Sequence, residues 1–347
     1  LSTFDWTEQF ENRKRDHIRL ALDPRTQVTG GSGLAQIELI HEALPDLNLE
    51  DISLKSHLWG VPLASPLFVS SMTAGHGDGH KINLTLAEAC AQRGWAMGVG
   101  SQRRELRDPA AHHEWSAIRR QVPHVVLMGN IGISQLIQTS SEQIQRLVDN
   151  MQATCMIVHT NPLQECLQPE GSPQFRGGLE ALSRLARELS VPVVVKETGC
   201  GFSRATLARL NDSGVQAVDI GGLGGTHWGR VEGQRSEPGS QLYQVAETFA
   251  DWGVSTVQSL SDAIELRPHF AVWASGGVRS GLDAAKLLAM GAQHVGLAKP
   301  MMEAALQGVT TLLQLMERLE YELKVALFCT GCSDLQQLRE KHVWRRK

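Results

Sequence analysis

Eight short apolar runs, separated by stretches of helical periodicity, constrain this 347-residue chain more than any other feature. The runs are 67–71, 96–100, 125–129, 155–159, 192–197, 217–222, 271–275 and 295–298. Helical patterns lie between them near 81–93, 109–121, 140–151, 177–189, 203–213, 241–266 and 281–290. Strands that alternate with helices build parallel sheets, and eight such units predict an α/β fold of the (β/α)8 TIM-barrel kind rather than an open doubly wound sheet. Residues 1–66 then form an N-terminal extension, with a polar helix over 7–20 and a hairpin over 52–61. The barrel occupies 67–300. Residues 301–347 form a helical tail whose apolar part, 309–329, is expected to pack on the barrel exterior.

One unit is especially informative, AVWASGGVRSGLDAAKLLAMGAQHVGLAKP over 271–300. A strand ending at Ser275 meets Gly276-Gly277, which permits a tight turn and close approach of backbone N–H groups to a ligand. Ser280 or Gly281 opens a helix with an expected apolar face of Leu282, Ala285, Leu288 and Ala289, and Gly291 can cap its end. Glycine N–H groups, the helix N-terminus and Arg279 together suit a phosphate. In a β/α barrel such a site follows strands 7 and 8. The segment 199–221 aligns on 276–298 without gaps, matching Gly199 with Gly276, Ala208 with Ala285, Leu210 with Leu287, and Gly214 with Gly291. Duplicated βα units fit a barrel of repeated parts.

Composition excludes several classes. A net charge of −4, with no Lys/Arg block before the last few residues, gives no footprint for nucleic acid. The longest apolar runs are too short to span a membrane. The N-terminal segment has no apolar core of an export signal, so a cytoplasmic protein is expected. The six cysteines are scattered and form no disulfide framework, and Cys329-Thr-Gly-Cys332 is a lone CxxC.

Side chains at the C-terminal ends of barrel strands converge on one mouth, and here those ends are polar. They include Ser71-Met72-Thr73, Ser101-Gln102-Arg103, Asn130, the run His159 to Glu165, Lys196-Glu197, Asp219 and Thr226. Lys196 closes an apolar run, so it needs an anion or an electron-rich partner. That partner is either the N1–C2=O edge of a flavin or a carboxylate such as Glu197. Asn130 can offer a donor and an acceptor to a flavin's pyrimidine edge, and Ser71, Thr73 and Ser101 can bond its heteroatoms. Arg103 with Arg13 and Lys14 could hold a substrate phosphate. Glu165 is a candidate Mg²⁺ ligand, one carboxylate being enough when phosphates and water complete the shell. His159 could act as general acid/base or phosphate donor. Arg13 and His17 share one helical face. No GxGxxG follows a strand, and there is no Walker A run or GxSxG elbow, so a flavin here would be FMN rather than FAD.

Taken together, these segments resemble type 2 isopentenyl diphosphate isomerase, the flavin-dependent kind. The similarity runs over most of the chain: RKRDHI (13–18), SMT (71–73), GSQR (100–103), GNIG (129–132), HTNPLQE (159–165), VKETGCG (195–201), DIGGLGGTHW (219–228) and SGGVRSG (275–281). HTNPLQE with RKRDH upstream is the specific part, since many FMN barrels share the glycine–arginine unit. The resemblance implies interconversion of isopentenyl and dimethylallyl diphosphates with reduced FMN, Mg²⁺ and a reductant, NADPH or another, in a homo-oligomer (tetramer or octamer). It implies FMN contacts at Ser71, Met72, Thr73, Ser101, Asn130, Lys196, Thr226, Gly277, Val278, Arg279, Ala298 and Lys299. It implies substrate contacts at Arg13, Lys14, Ser101, Gln102, Arg103 and Gln164, and a metal ligand at Glu165. His159 and Gln164 would position the substrate for proton transfer. The phosphate of FMN would sit at 277–279 and 298–299, and the diphosphate of the substrate across the mouth.

Three positions depart from the family pattern. Ala74-Gly75 replaces the usual Gly-Gly, Gly221 stands where serine is common, and His227 stands where a small residue is common. His227-Trp-Gly-Arg230 also has the HxxR spacing of 2-hydroxy-acid oxidases, a second enzyme reading. A flavin- or phosphate-binding barrel without catalysis is a third.

Overall fold

The computed structural model describes residues 3–28, 30–72, 77–108, 111 and 113–347. Short strand β1 (Ile37–Leu39) pairs antiparallel with β12 (Trp344–Arg346), and β2 (Ser56–Leu58) with β3 (Val61–Leu63) makes a hairpin. Between them eight parallel strands close into a barrel. They are β4 (Leu67–Val69), β5 (Ala96–Gly98), β6 (Val126–Gly132), β7 (Cys155–Thr160), β8 (Val193–Glu197), β9 (Ala217–Asp219), β10 (Ala271–Ser275) and β11 (His294–Leu297). β11 returns to pair with β4, and helices lie between successive strands, as the alternation of apolar runs predicts.

Inside the ring, Phe68, Met128, Ile157, Val194 and Trp273 fill the barrel, joined by Leu58 and Leu63 of the hairpin. That cluster includes the first residues of β5, β7 and β9, so the hairpin stoppers the N-terminal end of the barrel. Its tip residue Trp59 adopts a left-handed φ of 45° and stacks obliquely on Trp273 at 5.6 Å between ring centroids. The opposite end is left for ligands.

The two matching segments fold alike. Ser203 and Ser280 each cap a helix, Arg204–Asn211 and Gly281–Ala289, by accepting a hydrogen bond from a backbone N–H three residues on. Each helix leads into a strand, β9 or β11. The expected apolar face of the second helix needs one correction: Leu282 is exposed. Gly281 makes the contact instead, because a Cβ there would lie 2.2 Å from the Leu319 carbonyl. Ala284, Ala285, Leu287, Leu288 and Ala289 are the buried side chains. The helix Val309–Cys329 packs on this unit through Leu319 and Leu323.

Two helical expectations change. The stretch 241–266 is two helices, Gln241–Thr248 and Thr256–Glu265, each with its own serine cap. The helix Trp228–Arg235 has no counterpart in the sequence pattern, because Gly229 and Gly233 interrupt its periodicity. Both glycines mark close packing: a Cβ at Gly229 would lie 2.8 Å from Leu163, and one at Gly233 2.5 Å from Ala246. The N-terminal helix Thr3–Leu22 packs on Trp228–Arg235 and Lys299–Gln307. Among the described residues no helix is long and apolar enough to cross a membrane, and all six cysteines are free.

Candidate active site

The strand C-termini, the N-terminal helix and the helix Trp228–Arg235 enclose a cavity of about 500 Å³. Arg13, Lys14, Ser71, Met72, Ser101, Arg103, Asn130, His159, Gln164, Glu165, Lys196, Thr226, Gly277, Val278, Arg279, Ala298 and Lys299 all line it. Thr73, and the Ala74-Gly75 departure beside it, lie outside the described residues. Gln102 is the exception. It is 1% exposed and does not line the cavity. Its Oε1 accepts a hydrogen bond from the Asn130 backbone N–H at 3.1 Å, so it braces the wall from behind while its neighbours Ser101 and Arg103 face inward.

One side of the cavity is a cradle of small residues. The Ser70 and Ser71 hydroxyls are buried and meet no hydrogen-bond partner among the described residues. Gly296 and Gly98 make room for them, since a Cβ at either would come within 2.5 Å of a serine Oγ. No described residue accepts a hydrogen bond from the backbone N–H of Gly277 or Val278. Unused donors on residues that line a cavity beside Arg279 and Lys299 are what a phosphate-bearing cofactor requires, so the residues present fit FMN. Thr226 bonds Gln27 through its hydroxyl, and Lys299 lies 3.5 Å from Glu303.

Lys196 does pair with a carboxylate, but not with Glu197. Its Nζ donates to Asp219 Oδ2 at 2.7 Å and to Ser275 Oγ at 2.8 Å. Neighbouring strand residues alternate in direction, so Lys196 faces the barrel interior and Glu197 turns away. The Glu197 carboxylate accepts from the backbone N–H groups of Gly199, Cys200 and Gly201. Burial outweighs those bonds and raises its pKa to about 7.

Asn130 and His159 occupy each other. Asn130 Nδ2 donates to the Val99 carbonyl at 3.1 Å, which fixes the amide so that Oδ1 faces His159 Nδ1 at 2.8 Å. The proton therefore sits on Nδ1 and Nε2 is the acceptor. Burial, reinforced by Lys14 and Lys196, lowers the His159 pKa to about 4. At neutral pH this is an uncharged imidazole, with Nε2 left as an acceptor. Asn130 retains one amide hydrogen and one lone pair for a flavin edge.

The other side of the cavity gathers cations around one carboxylate. Arg13, Lys14 and Arg103 converge there. Burial, then the charge of Arg13, brings Lys14 down to about 7, with Glu114 opposing and Arg103 adding to the fall. Glu165 is 8% exposed, and its two oxygens accept from Asn161 Nδ2 at 3.1 Å and the Ser172 N–H at 2.6 Å. Both donors are neutral, so the charge and one lone pair on each oxygen are available to a cation. Among the described residues no group of three or more His, Cys, Asp or Glu surrounds it. A Mg²⁺ here would draw its other ligands from phosphates and water, as that ion commonly does.

Beneath this side lies a carboxylate that the sequence did not single out. Glu232, 0% exposed, accepts from His17 Nε2 at 2.9 Å, Gln164 Nε2 at 3.0 Å and Arg235 Nη1 at 2.6 Å. Burial alone would raise its pKa. The bond from His17 and the charge of Arg235 outweigh that and hold it below the usual carboxylate range. The network ties the N-terminal helix to Trp228–Arg235 and aims Gln164, whose Oε1 accepts from Asn161 Nδ2 at 2.9 Å. The shared face of Arg13 and His17 was its only signal in the sequence.

His227 and Arg230 are consumed by structure. His227 is fully buried and does not line the cavity. Its Nδ1 caps Trp228–Arg235 by accepting from the Arg230 N–H, and its Nε2 meets the Trp252 carbonyl at 3.0 Å. Arg230 donates to the carbonyls of Ala250 and Gln27 and pairs with Asp251. His227→Ala is therefore expected to remove about 1 kcal/mol or more of stability through the lost cap while flavin stays bound. Thermal unfolding and flavin absorbance read the two effects separately.

Gly221 has a conformational reason to be glycine. Its φ is +46°, and a Cβ would lie 1.9 Å from the Glu197 carbonyl oxygen. Gly221→Ser should thus destabilise the protein by at least ~2 kcal/mol, as strained left-handed positions do, rather than restore a cofactor bond. Urea denaturation of the ligand-free variant measures this, and unchanged stability would contradict it.

Comparison with known proteins adds three results. A family described as FMN-dependent dehydrogenase matches residues 159–345. Relatives named isopentenyl-diphosphate delta-isomerase cover nearly the whole chain. One from Bdellovibrio bacteriovorus is 55% identical, spanning 96% of this chain and 98% of its own. One from Legionella pneumophila is 54% identical over 96% and 97%, and one from Nostoc is 40% identical over 95% of each. Among solved structures, an active mutant of (S)-mandelate dehydrogenase superposes with a TM-score of 0.69 at 16% identity, covering 96% of this chain and 99% of its own. A mandelate oxidase gives 0.66 at 18%, covering 96% and 98%. At such identity the structural likeness concerns the fold alone.

Proposed function

The chain belongs to the isopentenyl-diphosphate delta-isomerase family and carries the FMN-dependent dehydrogenase domain, and from that premise we propose that it interconverts isopentenyl and dimethylallyl diphosphates using reduced FMN and Mg²⁺. The observation that carries this reading is the two-sided cavity. A cradle of unused hydroxyl and N–H donors shares one cavity with three cations and a carboxylate held by neutral groups. The mandelate enzymes share the fold, yet here the His227–Arg230 pair is locked into helix capping and loop anchoring, which favours the isomerase over an oxidase.

In this reading Ser71, Ser101, Asn130, Lys196 and Thr226 hold the flavin ring, and Gly277–Arg279 with Ala298–Lys299 hold its phosphate. Thr73 is included from its place in the SMT motif. Bound in reduced form, FMN supplies an electron-rich face that stabilises positive charge on the allylic unit. Arg13, Lys14 and Arg103 bind the diphosphate, and Glu165 would hold a Mg²⁺ that would supply further positive charge to neutralise it. Met72 lies with Ser71 against the flavin, and Ile18, Leu22 and Trp228 offer apolar surface to the five-carbon chain and exclude water from it. Moving the double bond requires a proton added at one carbon and another removed two bonds away. Neutral His159 offers an acceptor at Nε2, and Gln164, held by Asn161 and Glu232, orients the substrate. NADPH or another reductant keeps the flavin reduced, and the enzyme works as a cytoplasmic homo-oligomer, tetramer or octamer.

An anaerobic isomerase assay with FMN, reductant and Mg²⁺ omitted in turn tests the reading. Each omission should abolish turnover. Activity without flavin would end the proposal, and peroxide formation from a 2-hydroxy acid would favour the oxidase.

Lys14 adds a pH signature. Its pKa is about 7 in the free protein, and a bound diphosphate favours the charged form and raises it. Binding therefore takes up a proton. The contribution of Lys14 to affinity is full below about pH 7 and falls by up to tenfold per pH unit above it, levelling at the pKa of the complex. Calorimetric titration of a non-reacting diphosphate between pH 6 and 9 (roughly the range over which a lysine so shifted titrates) should show this slope. Lys14→Met should flatten it.

A further inference from the structure

The ends of three adjacent strands carry a buried constellation that the reading above uses only in part. Lys196 lies near the end of β8, Asp219 ends β9 and Ser275 ends β10. Strand pairing sets Lys196 beside Asp219, and Asp219 beside Trp273, two residues before Ser275. The Lys196 and Asp219 side chains are only 8% and 1% exposed. Lys196 Nζ donates to Asp219 Oδ2 and Ser275 Oγ, and Ser275 Oγ donates to Asp219 Oδ1 at 2.7 Å. A serine hydroxyl has one hydrogen. With that hydrogen spent on Asp219, its oxygen can only accept from Lys196, so the three groups form a closed ring with one consistent assignment of hydrogens. The Gly221 N–H also reaches Asp219 Oδ1, at 3.4 Å.

An ammonium has three N–H donors, and the ring uses two. Lys196 and Ser275 line the cavity and Asp219 does not. The remaining N–H of Lys196 is therefore the one available to an acceptor in the cavity, and its direction is set by the other two. A lysine side chain otherwise has four carbons of rotational freedom.

We propose that Asp219, without touching the cofactor, is a positioning residue: together with Ser275 it holds the Lys196 ammonium so that its third N–H meets the electron-rich edge of reduced FMN. The proposal rests on the FMN reading given above. It assigns Asp219 and Ser275 a share in the preference of the protein for the reduced over the oxidised cofactor.

The test is the ratio of FMN dissociation constants, oxidised over reduced, by anaerobic titration of the full-length protein. Wild type should favour reduced FMN. Lys196→Met should lose at least tenfold of that preference, equal to ~30 mV for a two-electron couple. Asp219→Ala should lose a comparable factor and Asp219→Glu recover part of it. Ser275→Ala, a smaller change that keeps the ion pair, should lose several-fold. Asp219→Ala added to Lys196→Met should change nothing further. The proposal is overturned if Ser275→Ala and Asp219→Ala keep the wild-type ratio while Lys196→Met loses it. It is equally overturned if the loss from Asp219→Ala appears in full on top of Lys196→Met, because the carboxylate then acts independently of the lysine. A wild-type protein that binds neither form of FMN removes the cofactor reading itself, an outcome visible before any variant is compared.

Discussion

Lys196→Ala is expected to lower stability by ~3–5 kcal/mol and to release the flavin. The first effect follows from what remains behind. Asp219 is 1% exposed on its side chain and would be left buried without the ammonium at 2.7 Å. Breaking a buried pair by removing one partner is costly because the other charge stays uncompensated. The second follows from the position of Lys196 on the cavity wall beside the serine and glycine cradle. Denaturant unfolding of the ligand-free protein measures the first, and absorbance of the purified protein the second. Unchanged stability would mean that the ring with Asp219 and Ser275 does not form in solution. Lost stability with flavin retained would mean that the lysine serves the barrel and not the cofactor.

Glu165→Gln should leave folding and flavin binding close to wild type and lower catalytic efficiency by at least ~100-fold. Gln keeps the shape of the side chain and one acceptor for Asn161 or the Ser172 N–H. What it lacks is charge. Loss of a group that merely supports a metal ligand costs ~10–100-fold, so loss of the ligand itself should cost no less. The Mg²⁺ concentration for half-maximal rate should rise at least tenfold. Activity that keeps its wild-type Mg²⁺ dependence would remove the metal from Glu165.

The barrel was legible because its signal is carried locally. The apolar runs, such as 192–195 or 271–274, are apolar along their length, as a strand buried on both faces must be, and the cap at Ser280 is a residue-level preference. The mouth was legible because the strand ends change abruptly to polar residues. What stayed hidden depends on register and direction. The partner of Lys196 lies on the next strand, so Glu197, adjacent in sequence, was the wrong neighbour to consider. Gln102 and Ser101 are adjacent and equally polar, yet one backs the wall and the other lines it. Glu232 belongs to a helix whose two glycines erase its periodicity, and it becomes visible only when the N-terminal helix brings His17 to it.

The seam at which β11 meets β4 also bears on how the chain reaches this form. Leu67 pairs with Val295, so the first barrel strand to be synthesised waits for the last. Until then β4 presents one edge of unpaired N–H and C=O groups, the kind of edge that recruits other chains. Contacts between such distant residues require loop closure before they return any stabilisation, and they slow folding accordingly. A chain interrupted anywhere before Val295 would be left with an open, adhesive sheet, so the nascent protein spends most of its synthesis exposed to aggregation and closes its ring only near the end.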